Sequence, residues 1–81
     1  MPVYSSKHSK HPALVALGDA IRRVRFAQGI AQEELALRCE LDRSYVGGVE
    51  RGESNVTVLN ITKIASALDM NASELLEQAG L

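Results

Sequence analysis

The sequence predicts an all-α fold, a compact bundle of five short helices, and three observations carry that expectation. Apolar residues recur at three- and four-residue steps along most of the chain, the period of a half-buried helix. Residues that cap helix N-termini precede several of these runs, and glycines close others. Only two prolines and six glycines occur among 81 residues, too few for a turn-rich sheet protein.

The first helix is expected at about residues 12 to 28. Pro12 suits a first helical position, where its missing N–H costs nothing. Leu14, Leu17, Ile21, Val24 and Gln28 follow at helical spacing, and Gly29 fits a left-handed terminator. Gln32 to Cys39 forms a short second helix with Leu35, Ala36 and Cys39 on its inner side. Glu40, Leu41 and Asp42 leave room only for a tight turn, and Asp42 can cap the next helix through its carboxylate. That third helix runs from Arg43 to about Arg51 and stops at Gly52. With Val46 and Val49 facing inward, Arg43, Ser44, Gly47 and Gly48 are expected to fall largely on the outer side. Residues 52 to 57 read as a polar loop, and Thr57 can cap a fourth helix. Val58, Ile61, Ile64, Ala65 and Leu68 mark the buried face of that helix. Asn71 opens N-A-S-E, which sets Glu74 at the third position of a capping box. The fifth helix then carries Leu75 and Leu76 and ends near Gly80. Ahead of all five, residues 1 to 11 are polar and read as a flexible arm, leaving residues 12 to 81 as one domain.

Composition narrows the class of activity. A chain of this length forms one small core, and dimerisation would add buried apolar surface. Aromatic residues are 4% of the chain and tryptophan is absent, so the core is aliphatic. The lone Cys39 cannot form an internal disulfide, no apolar h-region follows a basic start, and no apolar run approaches the ~20 residues that span a bilayer. A soluble, cytoplasmic protein without membrane contact is the expectation. Net charge is only −1, but its distribution is uneven. Lys7, Lys10, Arg22, Arg23 and Arg25 lie in the first thirty residues against Asp19 alone. From Ile64 onward the chain carries Asp69, Glu74 and Glu77 and no basic residue. Such asymmetry suits a molecule with one face toward phosphate.

The informative unit is the second helix, the short turn and the third helix. Two short helices joined this way can meet at a steep angle and hold the second proud of the body. An α-helix fits the major groove of B-DNA, where each base pair shows a distinct pattern of donors, acceptors and methyl groups. A reading helix needs small or polar side chains near its N-terminus, and R-S-Y-V-G-G supplies them. The stretches R-F-A-Q-G-I-A-Q-E-E-L-A, L-D-R-S-Y-V-G-G-V-E-R-G and L-N-I-T-K-I-A-S-A-L, spread between about Leu14 and Leu76, resemble the XRE family, the Cro and phage-repressor type of helix-turn-helix. The middle block with its following S-N-V-T is closest in pattern to the controller proteins of restriction–modification systems. The resemblance implies a lambda-repressor-like DNA-binding domain acting as a transcriptional regulator on double-stranded DNA.

It also implies residue roles. Gln32 matches a glutamine that clamps a phosphate at a helix N-terminus, where free N–H groups favour anions; the alternative is an ordinary exposed amide. Ala31 stands where the family often has a capping Ser or Thr. Arg43 can bond guanine O6 and N7 together, a contact giving about 1–3 kcal/mol of discrimination, or else bond phosphate or Glu40. Ser44 can serve bases or phosphates. Tyr45 carries two readings, packing and a phosphate contact through its hydroxyl. Gly47 and Gly48 each cost a helix about 1 kcal/mol relative to alanine, which close approach to base edges would explain; relatives often have a longer polar residue at the Gly47 position. Arg51 and Asn55 match phosphate-contacting positions, while Ser54 replaces a residue that is often basic in controllers. Arg25 and Glu50 match a structural salt bridge between the first helix and the end of the third. Lys7 and Lys10 in the arm are expected to be solvated, the alternative being nonspecific DNA contacts.

One reading helix covers few base pairs, so a homodimer on a palindrome is expected, with its interface at Met70, Leu76 and Leu81. Repression would follow from covering a promoter, and activation would need a patch for polymerase. The sequence suggests no cofactor, metal or small-molecule ligand: His8 and His11 lie in the arm, Cys39 faces the core, and no nucleophile–base pairing or phosphate loop is present. Glu33 and Glu34 are adjacent on a helix and read as a solvated face. An enzyme is not expected. The rival reading is an antitoxin or other protein-interaction module built on the same fold.

Overall fold

Five helices follow one another in a computed structural model that describes residues 9–81: α1 (Pro12–Ala27), α2 (Gln32–Cys39), α3 (Arg43–Glu50), α4 (Val58–Ala67) and α5 (Ala72–Gln78). Lys7, His8 and the rest of residues 1 to 8 lie outside the described residues. Four of the five helices begin on a side-chain cap. His11, just ahead of Pro12, is the N-cap of α1, its Nδ1 accepting from the Ala13 N–H. Asp42 accepts from Ser44 N–H, Thr57 from Asn60 N–H, and Asn71 with Glu74 closes a reciprocal capping box. Each of these satisfies N–H groups that a helix leaves unpaired. Only α2 starts uncapped, on Ala31.

The core is one aliphatic cluster. Leu17, Ala20 and Ile21 of α1 meet Leu35 and Ala36 of α2, Val46 and Val49 of α3, Ile64 and Ala65 of α4 with its C-cap Leu68, and Leu75 of α5. Cys39 lies in the same cluster as a free thiol. Burial pushes its pKa up, so it packs as a small apolar group. Val58 departs from expectation. It is 78% exposed because the stripe on α4 extends one turn beyond the elements that cover it, and the first apolar residue of that helix to be even half-covered is Ile61. Gln28 is likewise exposed as the C-cap of α1, not part of its buried face.

α1 does more than fill the core. Its polar side chains reach the C-terminal carbonyls of other helices. Gln28 Nε2 donates to Leu68 O at the end of α4 at 2.8 Å, and Arg23 donates to Gln78 O at the end of α5 at 3.0 Å. Neither α4 nor α5 has a basic residue in its own last turn. Gly18 lets α1 meet α3 backbone to backbone. A Cβ at Gly18 would lie 2.3 Å from Val49 O and 2.6 Å from Glu50 O, so only glycine fits. The helix-turn-helix is therefore docked by the C-terminal end of α3, leaving the opposite end to project.

Candidate nucleic-acid interface

The N-terminal turn of α3 is presented to solvent. Asp42, Arg43 and Ser44 are all exposed, whereas Val46 and Val49 behind them are essentially fully buried, at 0% and 1% exposure. Among the described residues, Arg43 makes no hydrogen bond or salt bridge, to Glu40 or any other group. Its whole guanidinium fork is open to a ligand. Ser44 is more committed. Its hydroxyl donates to the Asp42 carboxylate while its N–H does the same at 3.2 Å, so its free capability is as an acceptor. The Ser44 hydroxyl is also the main reason that the Asp42 carboxyl is held below its usual pKa.

Behind this turn sits a buried ion pair. Arg25 Nε donates to Glu50 Oε2 at 2.7 Å and its Nη2 to Oε1 at 2.9 Å, with both residues only 6% exposed. The remaining guanidinium nitrogen donates to Ile30 O at 2.9 Å, so the buried charge is fully partnered. Gln32 joins the same network, its Nε2 donating to Glu50 Oε1 at 3.1 Å. Among the described residues the second amide N–H of Gln32, at the N-terminus of α2, has no acceptor. The link ties α1, α2 and α3 through one carboxylate. It was not foreseeable from spacing, because Gln32 and Glu50 meet only when the two helices cross.

The structure corrects the placement of both helix glycines. Gly47 and Gly48 are buried rather than outward-facing. A Cβ at Gly47 would lie 3.1 Å from the Arg51 guanidinium and 3.4 Å from Gln32 Oε1. One at Gly48 would lie 2.9 Å from Ser54 Oγ. The missing side chains make room for polar groups of this same chain.

Tyr45 combines its two readings. The ring is half-buried against the core, and its hydroxyl oxygen accepts from Asn60 Nδ2 at 3.0 Å, which leaves its own proton to donate. Arg51 is exposed and pairs with Glu53 at 3.1 Å, an exposed contact that a phosphate can displace. Asn55 is exposed beside His11 and Leu14. Lys10 is not a free arm residue. Its N–H donates to Gly52 O at 2.6 Å and its Nζ to Arg51 O at 2.7 Å. On α2, Glu34 pairs with Arg38 one turn on at 2.7 Å, an exposed helix-face bridge. On the far side, Met70 and Leu76 are half-buried and Leu81 is 60% exposed. Leu76 and Leu81 line a shallow cleft with Ser73 and Glu77. No helix among the described residues is long and apolar enough to cross a membrane.

This arrangement agrees with comparisons to known proteins. The helix-turn-helix family model HTH_3 matches residues 21–75. The control protein C.BamHI of Bacillus amyloliquefaciens is 39% identical over 61 residues, covering 74% of this chain and 75% of that protein. The restriction–modification controller C.AhdI from Aeromonas hydrophila superposes with a TM-score of 0.75 at 55% identity, over 76% of this chain and 94% of that one. The controller C.Esp1396I, solved as a nucleoprotein complex, is 30% identical with a TM-score of 0.76, over 83% and 87% of the two chains. The chain belongs to the HTH_3 helix-turn-helix family, of the XRE type that includes restriction–modification controllers.

Proposed function

We propose that this protein reads DNA by laying α3 in the major groove, one copy from each protomer of a homodimer on a palindromic operator. The chain is a sequence-specific DNA-binding transcriptional regulator. One observation supports the mode of reading above the others: α3 offers Arg43, unpaired among the described residues, at its projecting end while its valines are locked in the core. Arg43 contacts a guanine through O6 and N7. Ser44, with its proton held by Asp42, accepts from the amino group of an adenine or cytosine. Gln32, Tyr45, Arg51 and Asn55 contact phosphates, which fix register without reading sequence. Gly47 and Gly48 serve recognition indirectly, by letting Gln32, Arg51 and Ser54 close down on α3. Symmetric reading helices sit about one DNA turn apart, ~34 Å, and Met70, Leu76 and Leu81 supply the interface between protomers.

A gel shift with genomic fragments over a salt series tests this reading. Sequence-dependent binding whose logarithm falls linearly with the logarithm of salt is expected. No sequence-dependent, salt-sensitive shift at micromolar protein would point instead to a module for binding another protein.

A further inference from the structure

The reading helix has one cation at its end, the C-cap Arg51, and that guanidinium pairs with Glu53 instead of the helix carbonyls. The last turn of α3 contains no basic residue, although helix C-termini carry a partial negative charge and unpaired carbonyls. Lys10, far away in sequence, stands there. Its ammonium donates to Arg51 O at 2.7 Å and its backbone N–H to Gly52 O at 2.6 Å. Lys10 has φ 64, in the left-handed region that side chains rarely adopt, and there both of its donors meet the α3 terminus. The neighbouring contacts lie on the same surface. Gly52, at φ 76, would place a Cβ 2.8 Å from Val15 of α1, and Gly18 abuts the carbonyls of Val49 and Glu50.

We propose that Lys10 is the C-terminal cap of the reading helix, supplied from outside it, and is thereby a positioning residue for DNA recognition. By bonding the carbonyls just past Glu50, it holds the angle at which the other end of α3 projects Arg43 and Ser44. Arg23 of α1 and its C-cap Gln28 meet the ends of α5 and α4 in the same way, so with Lys10 just ahead of α1 the residues in and flanking that helix close three others. The competing role is a direct phosphate contact, and the two differ in what they change. A phosphate contact alters the salt dependence of binding, whereas a cap alters the order of the α3 terminus with or without DNA.

The role in recognition rests on the reading of α3 proposed above, but the capping role does not. Amide hydrogen exchange of Lys10→Met and Lys10→Arg in the full chain is therefore measured without DNA, alongside binding to a selected operator and to random duplex over a salt series. Lys10→Met should exchange the Gly52 and Glu53 amides about three- to tenfold faster. It should lower the operator-over-random affinity ratio about three- to tenfold and leave the salt slope unchanged; Lys10→Arg should restore the protection. Unchanged exchange in Lys10→Met overturns the proposal, as does an unchanged affinity ratio. So does a slope reduced by about 0.9 per protomer, the signature of a lost phosphate contact. If Arg43→Ala leaves base preference intact, the reading of α3 fails instead, while the exchange result still decides the cap.

Discussion

Gly18 shows how much one missing side chain can decide. Alanine is favoured over glycine inside a helix by about 1 kcal/mol, so Gly18→Ala ought to stabilise α1 in isolation. Here its Cβ would strike the backbone oxygens of Val49 and Glu50 at 2.3 and 2.6 Å. Backbone cannot rotate away, so α1 and α3 must separate. The expected net loss is about 1–3 kcal/mol by urea denaturation; a variant as stable as the parent would show the contact to be soft. Gly47→Ala should behave differently. The one tight neighbour is the flexible end of the exposed Arg51, with Gln32 at ordinary contact distance, so stability should hold or rise by up to about 1 kcal/mol. DNA affinity should nonetheless fall, because the crowded group, the Arg51 guanidinium at 3.1 Å, is assigned to a phosphate. A destabilised Gly47→Ala with normal affinity would remove that role.

At the scale of elements, α3 is held from both ends. Its N-terminal cap is Asp42, whose carboxyl is kept below the usual value by the Ser44 hydroxyl and the backbone N–H groups. A lowered folded-state pKa means that the cap contributes fully above the unfolded value, about 3.9. It is lost as pH falls through the lower folded value. An NMR titration of the Ser44 amide should therefore show a midpoint below 3.9; a midpoint at or above it would mean that the cap is not formed. At the other end the Arg25–Glu50 pair joins α1 to α3. Replacing Glu50 with alanine strands a buried guanidinium and should cost about 3–5 kcal/mol. A loss below 1 kcal/mol in thermal or urea unfolding would show water reaching the site. The elements themselves were readable from sequence, because periodicity and caps are local signals. Pro12, Asp42, Thr57 and the Asn71–Glu74 box stand where the chain turns into helix. What sequence did not reveal depends on distant neighbours. Val58 fits the α4 stripe but lacks a cover, and Gly47 and Gly48 fit an outward face but lie beneath Gln32, Arg51 and Ser54. Lys10 looked like part of a charged tail because the carbonyls it meets lie forty residues on. A glycine in mid-helix, as at Gly18, was the one local sign of a close crossing.

For the molecule as a whole, the two ends divide the work. The described chain measures 37 × 25 × 20 Å, small against a duplex site read by two helices a full turn apart. A homodimer joined near Leu81 and Leu76 would solve this by pairing two such bodies about a common axis. Leu81 is exposed in the single chain, so Leu81→Asp should leave the fold intact. It should shift sedimentation toward monomer and weaken operator binding about 10²-fold, the loss expected when two tethered half-site contacts become independent. A wild-type protein that sediments as a monomer both on and off DNA would remove the dimer.

Selection of bound duplexes from a random pool, run in parallel for the parent, Arg43→Ala and Gln32→Ala, goes to the heart of the proposal that the open end of α3 is what meets the bases. The parent should return a palindrome. Arg43→Ala should return the same motif with preference relaxed at one or two positions per half-site, and Gln32→Ala should keep every preference while binding all sequences more weakly. An Arg43→Ala motif identical to the parent's, with affinity lowered evenly across sequences, would mean that Arg43 grips the backbone and that the bases are read elsewhere.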